Sequence, residues 1–179
     1  MKSSKHIHKR LFLIISLFLS LLLSNCNSNN ITQSDTTSSS NNSNSNPSNQ
    51  TTHTIIHDAI TRKYIVYLPS SYSNATAIPL ILNFHGGDMT ASSYLSTMDM
   101  RHLADSEEFM LVYPEGTAEI GNPNTLIWNS GPFPNSKSNT DDLSFIESLI
   151  QELSTNYPKI DNQRIYAIGY SNGGFMAYT

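Results

Sequence analysis

The stretch Arg164-Ile165-Tyr166-Ala167-Ile168-Gly169-Tyr170-Ser171-Asn172-Gly173-Gly174-Phe175-Met176-Ala177 decides how the rest of the chain is read. A β-branched and aromatic run enters Gly-x-Ser-x-Gly, and small residues follow as the start of a helix. This is the pattern of a nucleophile elbow, a strained strand-to-helix turn that lifts a serine hydroxyl clear of a sheet. Glycines flank the serine because backbone crowds backbone there and a Cβ would clash. Ser171 is the candidate nucleophile. Taken alone, the pattern also fits a glycine-rich turn with an incidental serine, so the loops upstream carry the decision.

Upstream of the elbow, apolar runs alternate with helical periodicities. Pro79-Leu80-Ile81-Leu82-Asn83-Phe84 and Phe109-Met110-Leu111-Val112-Tyr113 are nearly continuous apolar runs, the pattern of strands buried on both faces. Between them, Ser92 to Glu107 reads as a helix with Leu95, Met98 and Leu103 as its apolar stripe. A second helix opens at Asp141 and Asp142, whose acidity suits a positive helix N-terminus, and runs through Leu143, Ile146, Leu149, Ile150 and Leu153 to Pro158. At the front, Thr54 to Ile56 and Lys63 to Leu68 flank a polar turn at Asp58 and read as an antiparallel hairpin ended by Pro69. Strands alternating with helices predict an α/β fold, with a mostly parallel sheet, an antiparallel N-terminal hairpin and flanking helices.

The N-terminal part has a different composition. Residues 1–25 hold Lys2, Lys5, Lys9 and Arg10, then a 13-residue apolar run from Leu11 to Leu23 that is too short to span a bilayer comfortably. This reads as an export signal. Cys26 directly follows, as in a bacterial lipobox, where the thiol is lipidated, although Asn25 departs from the usual small residue. Ordinary cleavage leaving a free thiol is the other reading. Cys26 is the only cysteine, so no internal disulfide framework is possible. Of the 26 residues from 27 to 52, 21 are Ser, Thr or Asn, which leaves almost nothing to bury. The expected organisation is a signal over 1–25, a tether over 26–52 and a folded domain over 53–179. Losing residues 1–25 removes four of ten basic side chains and no acidic one, taking the net charge from −4 to −8. That balance disfavours nucleic acid and anionic lipid as partners.

If the three strands after the hairpin run parallel, their exit loops share one carboxyl edge, where open α/β sheets bind ligands. The first loop is Phe84-His85-Gly86-Gly87-Asp88, which resembles the segment supplying half of an oxyanion hole in α/β-hydrolases. Gly87 N–H, or alternatively Asp88 N–H, would be one donor, and Asn172 N–H the other. His85 suits a residue that holds the loop by hydrogen bonds. The second loop is the 26-residue segment Pro114 to Asn139, long enough to be functional, with Trp128 either walling a pocket or anchoring the loop to the sheet. The third is the elbow. His85, Gly86, Asp88, Trp128 and Tyr170 would line the site around Ser171.

These pieces resemble a secreted serine esterase family, the one grouping polyhydroxybutyrate depolymerases with feruloyl and acetylxylan esterases. The matching segments are Tyr64 to Pro69, Pro79 to Gly87, Leu103-Ala104-Asp105, Val112 to Gly116, Trp128-Asn129, Thr140 to Ile146 and Arg164 to Tyr178. The resemblance implies the N-terminal part of an α/β-hydrolase fold. It also implies a serine mechanism on carboxylic esters without cofactor or metal, and a monomer acting on plant polysaccharide, polyester or small esters. Export would place it at a bacterial membrane surface through a lipid on Cys26, or would release it as a secreted protein. In that family the triad acid and histidine follow the serine, and neither residue type occurs after Ser171 here. The expectation is therefore an esterase domain truncated after its elbow, complete only with residues beyond 179. The alternatives are a surface lipoprotein without catalysis and, from the Gly-x-Ser-x-Gly-Gly motif, a prolyl-oligopeptidase-type peptidase.

Overall fold

A computed structural model describes residues 49–131 and 138–179. The signal, Cys26 and the tether up to residue 48 lie outside the described residues, as do residues 132–137 of the long loop. The elements in chain order are β1 (Gln50–His57), β2 (Ile60–Tyr67), β3 (Ile78–Phe84), α1 (Ala91–Thr97), α2 (Arg101–Glu107) and β4 (Met110–Pro114). There follow β5 (Thr117–Glu119), β6 (Asn122–Ile127), α3 (Asp142–Asn156), β7 (Ile160–Gly169) and α4 (Asn172–Met176).

Five strands form one sheet in the order β1-β2-β4-β3-β7. β1 and β2 pair antiparallel from Gln50↔Tyr67 to His57↔Ile60, so regular structure begins inside the stretch read as tether. Asp58 and Ala59 both take positive φ, 50° and 60°, which gives a hairpin turn with the twist its strands need. β2 pairs antiparallel with β4, while β3 runs parallel to both β4 and β7. The expected mixed sheet is thus present. The loops leaving β3, β4 and β7 share one edge.

Alternation along each central strand divides the core in two. Tyr64, Val66, Leu80, Leu82, Met110 and Val112 face a layer made by Phe145, Leu149 and Leu153 of α3, Met176 of α4, and Trp128. Ile65, Tyr67, Leu111 and Tyr113 face Ala91, Tyr94 and Leu95 of α1 and Ala104 of α2. Helices cover both faces of the sheet, as buried parallel strands require.

Three local expectations are corrected. The single helix over 92–107 is two short helices broken at Met98 to Met100. The Tyr113 hydroxyl fills the break, donating to Met98 O (2.8 Å) and accepting from Met100 N (3.3 Å), while Asp99 Oδ1 accepts from Arg101 N (3.0 Å). The break turns Met98 and Leu103 outward, at 45% and 46% exposure, and the buried positions are Ala91, Tyr94, Leu95 and Ala104. The loop from Pro114 is not irregular throughout, because β5 and β6 form an antiparallel hairpin within it. Finally, Asp141 caps α3 through Ser144 N (3.0 Å), but Asp142 does not share that role. The residue is 1% exposed, and its carboxylate pairs with Arg62 Nη2 at 2.6 Å.

Candidate active site

β7 carries the chain to the carboxyl edge of the sheet, and α4 starts one residue beyond Ser171. Ser171 sits between them at φ 51° and ψ −117°, a sterically costly conformation for a residue with a Cβ. The turn closes because Gly169 packs directly on the backbone of Gly173, and Gly173 in turn on the carbonyls of Phe84 and His85. A Cβ on either glycine would drive these segments apart. Ser171 is exposed at the tip of the turn.

The loop after β3 lies beside the elbow. A methyl group built on Gly87 would come 3.9 Å from Asn172 Cβ and 3.7 Å from Ile127 Cγ2, so Gly87 and Asn172 occupy neighbouring backbone. Asp88 N donates to Leu126 O at 2.9 Å, which commits that amide and leaves Gly87 as the donor of the pair considered. Asp88 itself has a φ of 65°, and its Oδ1 accepts from Thr125 Oγ1 at 3.2 Å. Tyr170, 60% exposed, lays its ring over the buried Gly86, where a built methyl would meet Tyr170 Cδ1 at 3.0 Å.

His85 is fully buried and bonded at both ring nitrogens. Nε2 accepts from Gly116 N (2.9 Å), so the proton sits on Nδ1, which donates to Gly86 O (2.7 Å). Burial pushes its pKa below the ordinary histidine value. A neutral ring with both nitrogens in use holds two loops together and has no lone pair free to take a serine proton. Among the described residues no histidine ring bonds Ser171; His53 bonds Thr51 Oγ1 (2.7 Å) and the Tyr157 hydroxyl (3.4 Å).

Trp128 is an anchor. It has no exposed surface, meets Phe84 edge-on at 5.3 Å, and donates Nε1–H to His85 O at 3.0 Å. The pocket-wall alternative is excluded by that burial. Its backbone is clamped by the Asn172 side chain: Oδ1 accepts from Trp128 N (2.7 Å) and Nδ2 donates to Trp128 O (3.1 Å).

Sequence reasoning missed the support beneath. Arg62 and Asp142 form a buried pair, with Arg62 also donating to Glu115 O (3.1 Å) and lying 3.8 Å over the Phe145 ring. Asp142 Oδ2 accepts from Asn129 N at 2.7 Å, which ties the chain just after Trp128 to the start of α3. One signal was present: alternation along β2 puts Arg62 on the buried face of Tyr64 and Val66. A cavity of about 290 Å³ lies beside Arg62 and is lined by His57, Asp58, Ile60, Arg62, Asn139, Thr140 and Asp141, none of them an elbow residue.

The sheet order, the helices on both faces and the serine elbow at the carboxyl edge define an α/β-hydrolase fold. The S-formylglutathione hydrolase of Agrobacterium tumefaciens superposes with a TM-score of 0.58 at 17% identity, over 72% of this chain and 50% of that one. No protein-family model matches the chain. The chain is a homologue of named esterases: it is 32% identical over 116 residues to feruloyl esterase B of Piromyces equi, covering 65% of this chain and 20% of that protein. It is also 32% identical over 113 residues to a bifunctional acetylxylan esterase/xylanase of Neocallimastix patriciarum, covering 63% of this chain and 15% of that protein. It therefore spans about a fifth or less of the length of these relatives.

Proposed function

We propose that this chain carries the nucleophile half of an exported carboxylic-ester hydrolase. The observation that carries the reading is Ser171, exposed on a positive-φ elbow whose following residue lies against the Gly87 loop. Ser171 Oγ attacks the ester carbonyl while its proton passes to a histidine. The oxyanion that forms accepts hydrogen bonds from the Gly87 and Asn172 amides. Collapse expels the alcohol, which takes the proton, and water then hydrolyses the acyl-enzyme by the same route. Each amide donor contributes about 2.7–4 kcal/mol to the transition state.

The acid and histidine come from sequence beyond residue 179. Two facts support this: His85 in the loop is locked by Gly116 and Gly86, and the match covers only 20% and 15% of the named relatives. Their names favour feruloyl or acetyl esters on polysaccharide as substrate, and polyhydroxyalkanoate, a polyester, is the alternative. The charged, apolar and Cys26 sequence before the tether supports export and a lipid anchor.

The test is turnover of p-nitrophenyl acetate by the protein extended through the sequence that supplies the acid and histidine, with labelling by a fluorophosphonate probe alongside. Ser171→Ala should abolish both. Turnover unchanged by that substitution removes the serine from the mechanism, and soluble, folded protein that never labels at Ser171 favours the non-catalytic surface lipoprotein.

A further inference from the structure

The two amides assigned to the oxyanion come from loops after different strands, β3 and β7. A third segment, Leu126 to Trp128 at the exit of β6, touches both. On the β3 side, Leu126 O accepts from Asp88 N (2.9 Å), Ile127 packs against Gly87, and Trp128 Nε1 donates to His85 O (3.0 Å). On the β7 side, Trp128 presents its own N–H and C=O to the Asn172 carboxamide at 2.7 and 3.1 Å. A side chain that bonds both backbone groups of one residue imitates a strand partner. It places Asn172 at a fixed distance from the segment that also holds Gly87.

We propose that Asn172 and Trp128 are positioning residues, and that the Leu126–Trp128 segment is a splint setting the separation of the Gly87 and Asn172 amides. The role extends the esterase reading above and rests on it for its catalytic consequence. It assigns a task to the residue between serine and glycine in the elbow that is separate from that residue's own N–H. The distinction can be tested, because Asn172→Ala removes the clamp and leaves the N–H in place. The main effect then falls on the charged transition state, since a displaced donor binds the neutral ester almost as well as before.

The experiment compares the protein, extended through the sequence that supplies the acid and histidine, with its Asn172→Ala, Trp128→Phe and Ser171→Ala variants, by amide hydrogen exchange and by p-nitrophenyl acetate kinetics. Exchange needs no turnover. Asn172→Ala should accelerate exchange in segment 84–90 as well as in 170–175, although its side chain bonds neither Gly87 nor Asp88. It should lower kcat about tenfold or more while KM stays within about twofold. Trp128→Phe keeps an aromatic ring in the core, keeps the backbone groups that meet Asn172, and loses the Nε1–H bond to His85 O together with part of the indole packing. It should move the same two readouts in the same direction by less, and it carries the test where Asn172→Ala fails to fold. Acceleration confined to the substituted loop, or a rise in KM with kcat unchanged, overturns the splint. Full activity in Ser171→Ala overturns the esterase reading instead, and the exchange result then still decides the splint.

Discussion

Both ring nitrogens of His85 are spoken for, by Gly116 N–H and by Gly86 C=O, and the ring is buried, so the folded protein prefers it neutral. In the unfolded chain the same imidazole titrates near about 6.5. The folded pKa is depressed, so the unfolded state binds the extra proton first. The stabilisation is complete above about 6.5 and is lost as pH falls below it, by at most about 1.4 kcal/mol per pH unit. Urea unfolding between pH 7.5 and 5 should show that slope, and His85→Gln should flatten it. Gly173 is governed by shape alone: an alanine there meets the Phe84 and His85 carbonyls and should destabilise by about 1–3 kcal/mol in the same assay. Both glycines of the elbow were legible because the Gly-x-Ser-x-Gly pattern is local, although Gly173 meets the carbonyls of a distant loop. The partners of His85 were not, because Gly116 and Trp128 reach it from a loop 31 and 43 positions away.

At the scale of elements, periodicity located every strand of the main sheet and both long helical regions, since each central strand is apolar on two faces. It failed where a tertiary group replaced a helical hydrogen bond. The Tyr113 hydroxyl serves both Met98 O and Met100 N, so the chain breaks between α1 and α2 with its polar groups partly satisfied. Tyr113→Phe removes that bridge from a buried position and should cost about 1–3 kcal/mol, read as a lower urea midpoint. The β1–β2 turn offers the opposite sign. Ala59 holds a φ of 60°, which costs an L-residue about 1–2 kcal/mol and glycine nothing. Ala59→Gly creates the Asp-Gly pair such turns favour and should stabilise the protein by about 1 kcal/mol. An unchanged or lowered midpoint would mean that Ala59 does not strain the turn.

Across the whole molecule, the Arg62–Asp142 pair links the hairpin to α3 and to the loop that reaches the elbow. Arg62 bonds Glu115 O and Asp142, and Asp142 bonds Asn129 N one residue beyond Trp128. The partners lie 80 positions apart, which is why no local pattern revealed the pairing and why helix capping absorbed both aspartates in the sequence. The side chains are 2% and 0% exposed, so removing one partner strands a charge away from water. Arg62→Met should therefore cost about 3–5 kcal/mol. In that background Asp142→Asn removes the stranded charge and keeps an amide oxygen for Asn129 N–H. The double variant should therefore be more stable than Arg62→Met alone. A coupling of about 2 kcal/mol or more in the double-mutant cycle is expected. Additive losses would instead mean that the two side chains are held by their other neighbours, Phe145 and the Glu115 carbonyl among them, and that the loop bearing Trp128 does not depend on the pair for its position.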